Sequence, residues 1–373
     1  MTPEIAAPAA LQPASSSSAK SHRLPASTIV ATSYLLLSLL LTIHLWSDPA
    51  ALVVAGNSKD ADQFSWFMRY AATAVAHGHL PALVTTTLNA APGVNMMWNT
   101  SVLIPGILLA PVTLFLGPQV SLTILMTVGF AGSATAMFWV LRRWQLSLLA
   151  SIVAGTLYGF SPALLHAAVG HYDLQFCVLP PLIIDAGLRL VCRPAPKGDQ
   201  NADGVRQLAV APPNGLRPLL TDGARLGVLV SIQLFISEEL LLTTALTGAL
   251  LAAWLAGSHL RTAVRRSGRA ATGIGISILV SLAICGHALL IQFAGPLPQH
   301  GALFKPNFFV NDLTSFVTPS KFLLFHTSGT AAAAALYQGG APEYVAYLGW
   351  PLLIALLLAM LATWRSSAAR AMR

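Results

Sequence analysis

Residues 224–257 read ARLGVLVSIQLFISEELLLTTALTGALLAAWLAG. The run is apolar except for Arg225 and a few polar residues, with Glu238 and Glu239 adjacent at its centre. A plain membrane helix needs roughly 20 residues, so this run is too long for one. Running straight through would also leave two acids at mid-membrane depth, where a charge is expensive. A tight hairpin with both glutamates at its tip avoids that cost. This reading sets the direction of every segment on either side.

Composition makes the membrane the right frame. The chain has 373 residues, 55% hydrophobic and 9% charged, against roughly 25% charged in soluble domains. Its apolar runs are helix-length, so the expected fold is all-α and polytopic rather than a barrel. The net charge of +8 would suggest nucleic acid in a soluble protein. Here the bases sit in short loops between apolar runs, where they orient the chain, so no nucleic-acid partner is expected. Cys177, Cys192 and Cys285 are far apart and read as unpaired packing residues.

Outward from the hairpin, about eight transmembrane helices are expected. Residues 1–25, rich in Ala, Pro and Ser, form a disordered cytoplasmic tail. Residues 26–373 form one helical transmembrane domain. The first helix runs from Ala26 to Trp46 as an uncleaved anchor. Spans follow at 119–141, 146–169 and 176–191, then the two arms of the hairpin, then 271–294 and 347–363. Outer loops fall at 47–118, 170–175 and 295–346. The main cytoplasmic loop, 192–222, carries Arg193, Lys197, Arg206 and Arg217. Arg142–Arg143 and the cluster Arg261, Arg265, Arg266, Arg269 also lie inside, and both termini are cytoplasmic. Ser101–Gly117, interrupted by Pro105 and Pro111, is a kinked juxtamembrane or re-entrant helix. A rival model spans at 101–117 and runs straight through 224–257. It puts Arg142, Arg143 and the loop around Lys197 outside, against the bias of Lys and Arg toward the cytoplasm.

In this topology the acids gather outside. The first outer loop holds NSKDADQFSWFMRYAATAVAHGH (57–79). Its spacing predicts a surface helix with Phe64, Phe67, Met68, Ala71 and Val75 on one face and Asp62, Trp66, Arg69 and Thr73 on another. The second outer loop supplies His171 and Asp173, and the hairpin tip Glu238 and Glu239. The third supplies Lys305, Asn307, Asn311, Asp312, Lys321, His326 and Glu343. A carboxylate beside an acceptor hydroxyl acts as a general base for glycosyl transfer, and cations stabilise a leaving phosphate. Lys59, Arg69, Lys305 and Lys321 are the outer cations available. Trp66 has a ring suited to stacking on a sugar.

Against this stand plainer roles. Asp60 with Gln63 fits a capping box, and Asp62 a favourable charge at a helix start. His171 and Asp173 fit ordinary loop polars. Glu238 and Glu239 fit a solvated turn, and Trp66 a membrane anchor. A divalent metal ion held by Asp60, His171 and Asp173 is a further reading.

The segment SKDADQFSWF, just after the first apolar helix, resembles the first-loop acidic motif of the GT-C membrane glycosyltransferases. These include the protein O-mannosyltransferases, the aminoarabinose transferases of lipid A and the oligosaccharyltransferase catalytic subunits. GHYDLQF resembles the second acidic loop by position. DADQFSWFMRYAATAVAHGHLP…PGVNMMWNTS, GFSPALLHAAVGHYDLQF…LPPL, ISEELLLTTAL and EYVAYLGWPLL are similar to actinobacterial multi-pass proteins of this type. The resemblance covers roughly residues 26–350. It implies a GT-C-like fold, a polyprenyl-phosphate sugar donor, chemistry at the outer face, Asp60 as base and Asp173 as second acid. Asp62 joins the catalytic candidates; Lys59, Trp66, Arg69, His171, Glu238, Glu239 and Lys305 are the substrate-binding ones. Many relatives continue into more helices or a soluble C-terminal domain, where this sequence ends. A bacterial plasma membrane is the expected location, membrane lipid the expected surroundings, and the oligomeric state stays open. Two other functions stay open: a transporter or flippase of lipid-linked saccharides, and a noncatalytic relative.

Overall fold

The computed structural model describes residues 25–99, 101–195, 209–301, 305–308, 310–337 and 346–363. The tail expected at 1–25, apart from Pro25, lies outside them. So do Lys197, Arg206, Glu343 and the basic end beyond Thr363. Among the described residues 69% are helical, with almost no strand.

The helices are, in order, α1 (Ala26–Leu41), α2 (Ile43–Ser47), α3 (Ser58–Ala76), α4 (Leu103–Leu108), α5 (Ala110–Leu116), α6 (Pro118–Arg143), α7 (Leu148–Gly159), α8 (Pro162–Ala167), α9 (Tyr172–Gln175), α10 (Leu179–Arg189), α11 (Leu216–Leu234), α12 (Glu238–Ser258), α13 (Leu260–Ala294), α14 (Ser328–Ala334) and α15 (Trp350–Thr363). Two antiparallel strand pairs interrupt them: β1 (Val84–Thr85) with β2 (Val94–Asn95), and β3 (Arg193–Pro194) with β4 (Ala209–Val210).

Among the described residues four helical stretches are long and apolar enough to cross a membrane: Pro118–Arg143, Leu148–Ala167 (α7 with α8), Glu238–Ser258 and Leu260–Ala294. The apolar window of α6 is 61% buried, that of α12 only 6%. Thus α6 is the central pillar, while Leu242, Leu246, Leu250 and Trp254 of α12 point outward. A helix apolar all round needs an apolar solvent.

Other expected spans are shorter helices, and two apolar runs break. α1 stops at Leu41, and the Thr42 hydroxyl there donates to the Ser38 carbonyl. α10 has only 11 residues, beginning at a Pro pair and carrying Asp185 and Arg189. α15 has 14. The run 101–117 breaks at Leu109, where Pro111 opens α5. The run 224–257 breaks, as expected, at residues 235–237 between α11 and α12. The basic segment Arg261–Arg269 is not a loop but the first part of the 35-residue α13. Arg is a good helix former, and Arg266 and Arg269 there donate to the carbonyls of Val191 and Leu190.

α3 has the two faces its spacing predicts. Phe64, Phe67, Met68 and Ala71 are buried; Asp62, Arg69 and Thr73 are exposed. The buried face packs with Leu122, Met126 and Phe130 of α6, Leu164 of α8 and Tyr172 of α9.

α11 and α13 meet along a seam of small residues. A Cβ on Gly227 would lie 2.6 Å from the Ser277 carbonyl oxygen; one on Gly223 would lie 2.8 Å from that of Gly273. One turn on, the Cys285 thiol faces the Ser231 carbonyl. Small residues every fourth position let backbones close to contact, as in membrane helix pairs.

Candidate functional site

Two glycines bring the first and second loops together. Gly170 has φ +102°, and a Cβ there would stand 2.8 Å from Asn57 Nδ2. Gly56 has φ +120°, and a Cβ there would meet Val169 and the Phe322 ring at 2.9 and 3.1 Å. Any side chain at either position would prop the loops apart. Their absence sets Asp60 beside His171, with His171 Nε2 3.6 Å from Asp60 Oδ2.

The start of α3 orients the carboxylate. Asn57, not Asp60, is the N-cap: its Oδ1 accepts from the Asp60 amide at 3.3 Å. Its Nδ2 donates to Asp60 Oδ2 at 2.5 Å. This reciprocal arrangement has the logic of a capping box, with Asp60 in the third helical position. Both His171 and Asn57 lie against Oδ2. The Asp60 side chain is 35% exposed and that of His171 21%.

Asp173 sits deeper, 4% exposed in the first turn of α9. The hydroxyl of Ser237, itself fully buried, donates to its Oδ2 at 2.8 Å. Ser237 also caps α12, accepting from the Leu240 amide. Burial pushes the Asp173 carboxyl up to about 6, opposed by the Ser237 hydrogen bond and the charge of His171. His171 thus feels a half-exposed acid and a buried one. Among the described residues no three His, Cys, Asp or Glu stand close enough to share a metal ion. Asp60, His171 and Asp173 therefore form a row rather than a ligand cage.

The hairpin tip lies next to this row through Ser237. Glu238 Oε2 accepts from Gln292 Nε2 of α13 at 2.7 Å, and the same nitrogen donates to the Met97 carbonyl at 3.0 Å. Trp98 Nε1 donates to the Gln292 carbonyl at 2.7 Å. Glu238 lines a narrow crevice with Met96, Met97, Asn99 and Ser101. Glu239 is exposed.

The other sequence candidates spread out. Lys59, Asp62 and Arg69 are exposed on α3. Trp66 stacks on Tyr70 of its own helix, centroids 4.9 Å apart. Lys305 is exposed and forms no hydrogen bond or ion pair with Asp60 or Asp173. The last loop contributes instead through Ser320, Lys321 and Phe322. His166 Nε2 and the Ser320 hydroxyl lie 2.6 Å apart. The Lys321 ammonium lies 5.2 Å over the Phe322 ring, which packs at Gly56. A cavity of about 170 Å³ opens between Leu41, Leu45 and Val54 on one side and Met126, Phe130 and Ala168 on the other. Val54 stands three residues before Asn57 and Ala168 three before His171.

Sequence reasoning missed Asn57, Ser237 and Gln292. The first two carry a readable signal, since each is a cap-type residue directly before a helix with acids in its first turn. Gln292 carries none, because its partner Glu238 lies across the fold.

Set against family models, curated proteins and solved structures, the chain matches none.

Proposed function

We propose that the chain is a GT-C-like membrane glycosyltransferase moving a sugar from a polyprenyl-phosphate donor to an acceptor at the outer face. The observation that carries the reading is the Asp60–His171 contact. It joins acidic loops that follow separate apolar helices and leaves the Asp60 side chain 35% exposed. In the proposed step Asp60 Oδ1 takes the acceptor hydroxyl proton as its oxygen bonds to the sugar carbon. The bond from that carbon to the phosphate oxygen breaks, and the polyprenyl phosphate leaves with the electron pair. His171 and Asn57 hold Oδ2 and so aim the other oxygen. Asp173 positions His171 from behind. Lys321, at the edge of the first loop, is the cation best placed for the leaving phosphate. The apolar cavity between α2 and α6 suits an isoprenoid tail.

The proposed topology is eight crossings, with α1, α10 and α15 completing spans through their flanking residues and both termini in the cytoplasm of a bacterial cell. The side bearing Asp60, Asp173 and Glu238 then faces out, and the arginine-rich ends of α6, α10 and α13 face in.

The test is transfer of radiolabel from polyprenyl-phosphate sugars in membranes expressing the chain. Wild type is expected to transfer. Asp60→Asn, at equal protein level, is expected to lose about 100-fold or more, the usual worth of a positioned base. Transfer undiminished in Asp60→Asn removes the assignment of the base. Transport of a lipid-linked saccharide with no transfer from any donor replaces the enzyme reading.

A further inference from the structure

At the opposite end of the helices from Asp60 lies a cluster the glycosyl-transfer reading does not use. Asp185 of α10 is fully buried. Its Oδ1 accepts from Trp144 Nε1 at 3.0 Å. Three guanidiniums crowd its Oδ2: Arg189 at 2.9 Å, Arg143 at 3.6 Å and Arg225 at 3.8 Å. Only the first is at hydrogen-bond distance. Nearby, Asp222 of α11, 4% exposed, accepts from Arg193 at 2.7 Å and Arg269 at 3.3 Å. Arg143 lies within electrostatic range of Arg193, Arg189 and Arg225, so the two groups form one field.

The balance is uneven. Among the described residues, five guanidiniums meet two carboxylates. Arg143 Nη1 and Arg193 Nε are buried yet donate to nothing. Buried N–H groups of charged side chains almost always have acceptors, and concentrated like charge needs a counter-charge. Arg143 is also held in place, its guanidinium 4.5 Å over the Trp139 ring. Arg143 and Arg225 both lie near one carboxylate oxygen without bonding it, so they keep donors of the kind a phosphate takes.

We infer that this arginine cluster binds a phosphate group, with Arg143, Arg193 and Arg225 as its donors and Asp185 and Asp222 as the struts that hold them. Arg143 ends α6 and Arg269 lies on α13, two of the helices long enough to cross a membrane. That is headgroup depth, so an anionic phospholipid is the source the location favours. A phosphorylated solute offers the same chemistry.

The experiment is native mass spectrometry of the full chain in a non-ionic detergent, with phosphatidylglycerol or phosphatidylcholine added in equal amounts. A parallel thermal melt adds inorganic phosphate alone. The expected result is retention of phosphatidylglycerol over phosphatidylcholine, reduced about tenfold in Arg143→Gln/Arg225→Gln, the worth of one charge-assisted contact. That variant leaves the hydrogen-bonded pairs Asp185–Arg189 and Asp222–Arg193 intact. If inorganic phosphate displaces the lipid and raises the midpoint by itself, the site stands and its ligand is a soluble phosphate. Equal retention of the two lipids, with no response to phosphate, overturns the site. That comparison needs only wild type, so it holds if the variant misfolds. It is independent of glycosyl transfer.

Discussion

At the scale of single residues, the site depends on the missing side chain of Gly170 as much as on its acids. Ala at 170 would take up a φ of +102° that L-residues avoid, and its Cβ would press on Asn57 Nδ2. The expected cost is about 1–3 kcal/mol, read as a lower unfolding midpoint in detergent. If the transfer reading holds, activity in Gly170→Ala falls further than stability alone explains, because Asp60 loses its bearing on His171. Asp173 makes a prediction of opposite sign. Its carboxyl is raised, so the folded state holds a proton that the unfolded state has already released. The stabilisation is full below the ordinary carboxylate range and is lost as pH rises through about 6. Asp173→Asn carries no such loss. At about pH 7.5 it should be more stable than wild type by on the order of 2–3 kcal/mol, with the gap closing near pH 4. Melting both proteins across that range checks it. A gap that widens on acidification would mean that Asp173 is held ionised by a partner.

Among elements, the α11–α13 pair depends most visibly on backbone proximity. Gly227 faces the Ser277 carbonyl and Val280, with no room for a methyl group. Gly227→Leu should part the helices, at a cost of about 1–3 kcal/mol or more from overpacking. Melting Gly227→Leu beside wild type in detergent checks it, with a lower midpoint expected for the variant. These elements were legible to different degrees. α3 could be read residue by residue, because its apolar spacing is regular and its buried face is the one the period marks. The break at 235–237 followed from the cost of two acids in lipid. The length of α13 did not, because arginines mark a cytoplasmic end as readily inside a helix as in a loop. The shortness of α10 was hidden too: a proline pair sets where the helix begins without changing hydropathy.

For the whole molecule, the sequence singled out polar residues that the fold brings close together, but not how they are arranged. Asp60, His171 and Asp173 were named from their loops alone. Their relation depends on glycine conformation and on Ser237, which are long-range facts. The arginine cluster was visible only as topology, as charge on one side. Its two buried carboxylates emerged from packing, since Asp185 and Asp222 lie far apart in sequence among ordinary apolar neighbours. The wide spacing of these partners has a consequence for how the protein is made. Synthesis proceeds from the N-terminus, and early segments settle before later ones exist. Asp60 must wait for residue 171, Asp173 for residue 237, and His166 and the flank of Gly56 for residues 320–322. A ribosome therefore releases most of the scaffold before the acidic pole is closed, and a stalled or clipped chain would leave that pole open as a mark by which quality-control proteases could tell it from a finished one.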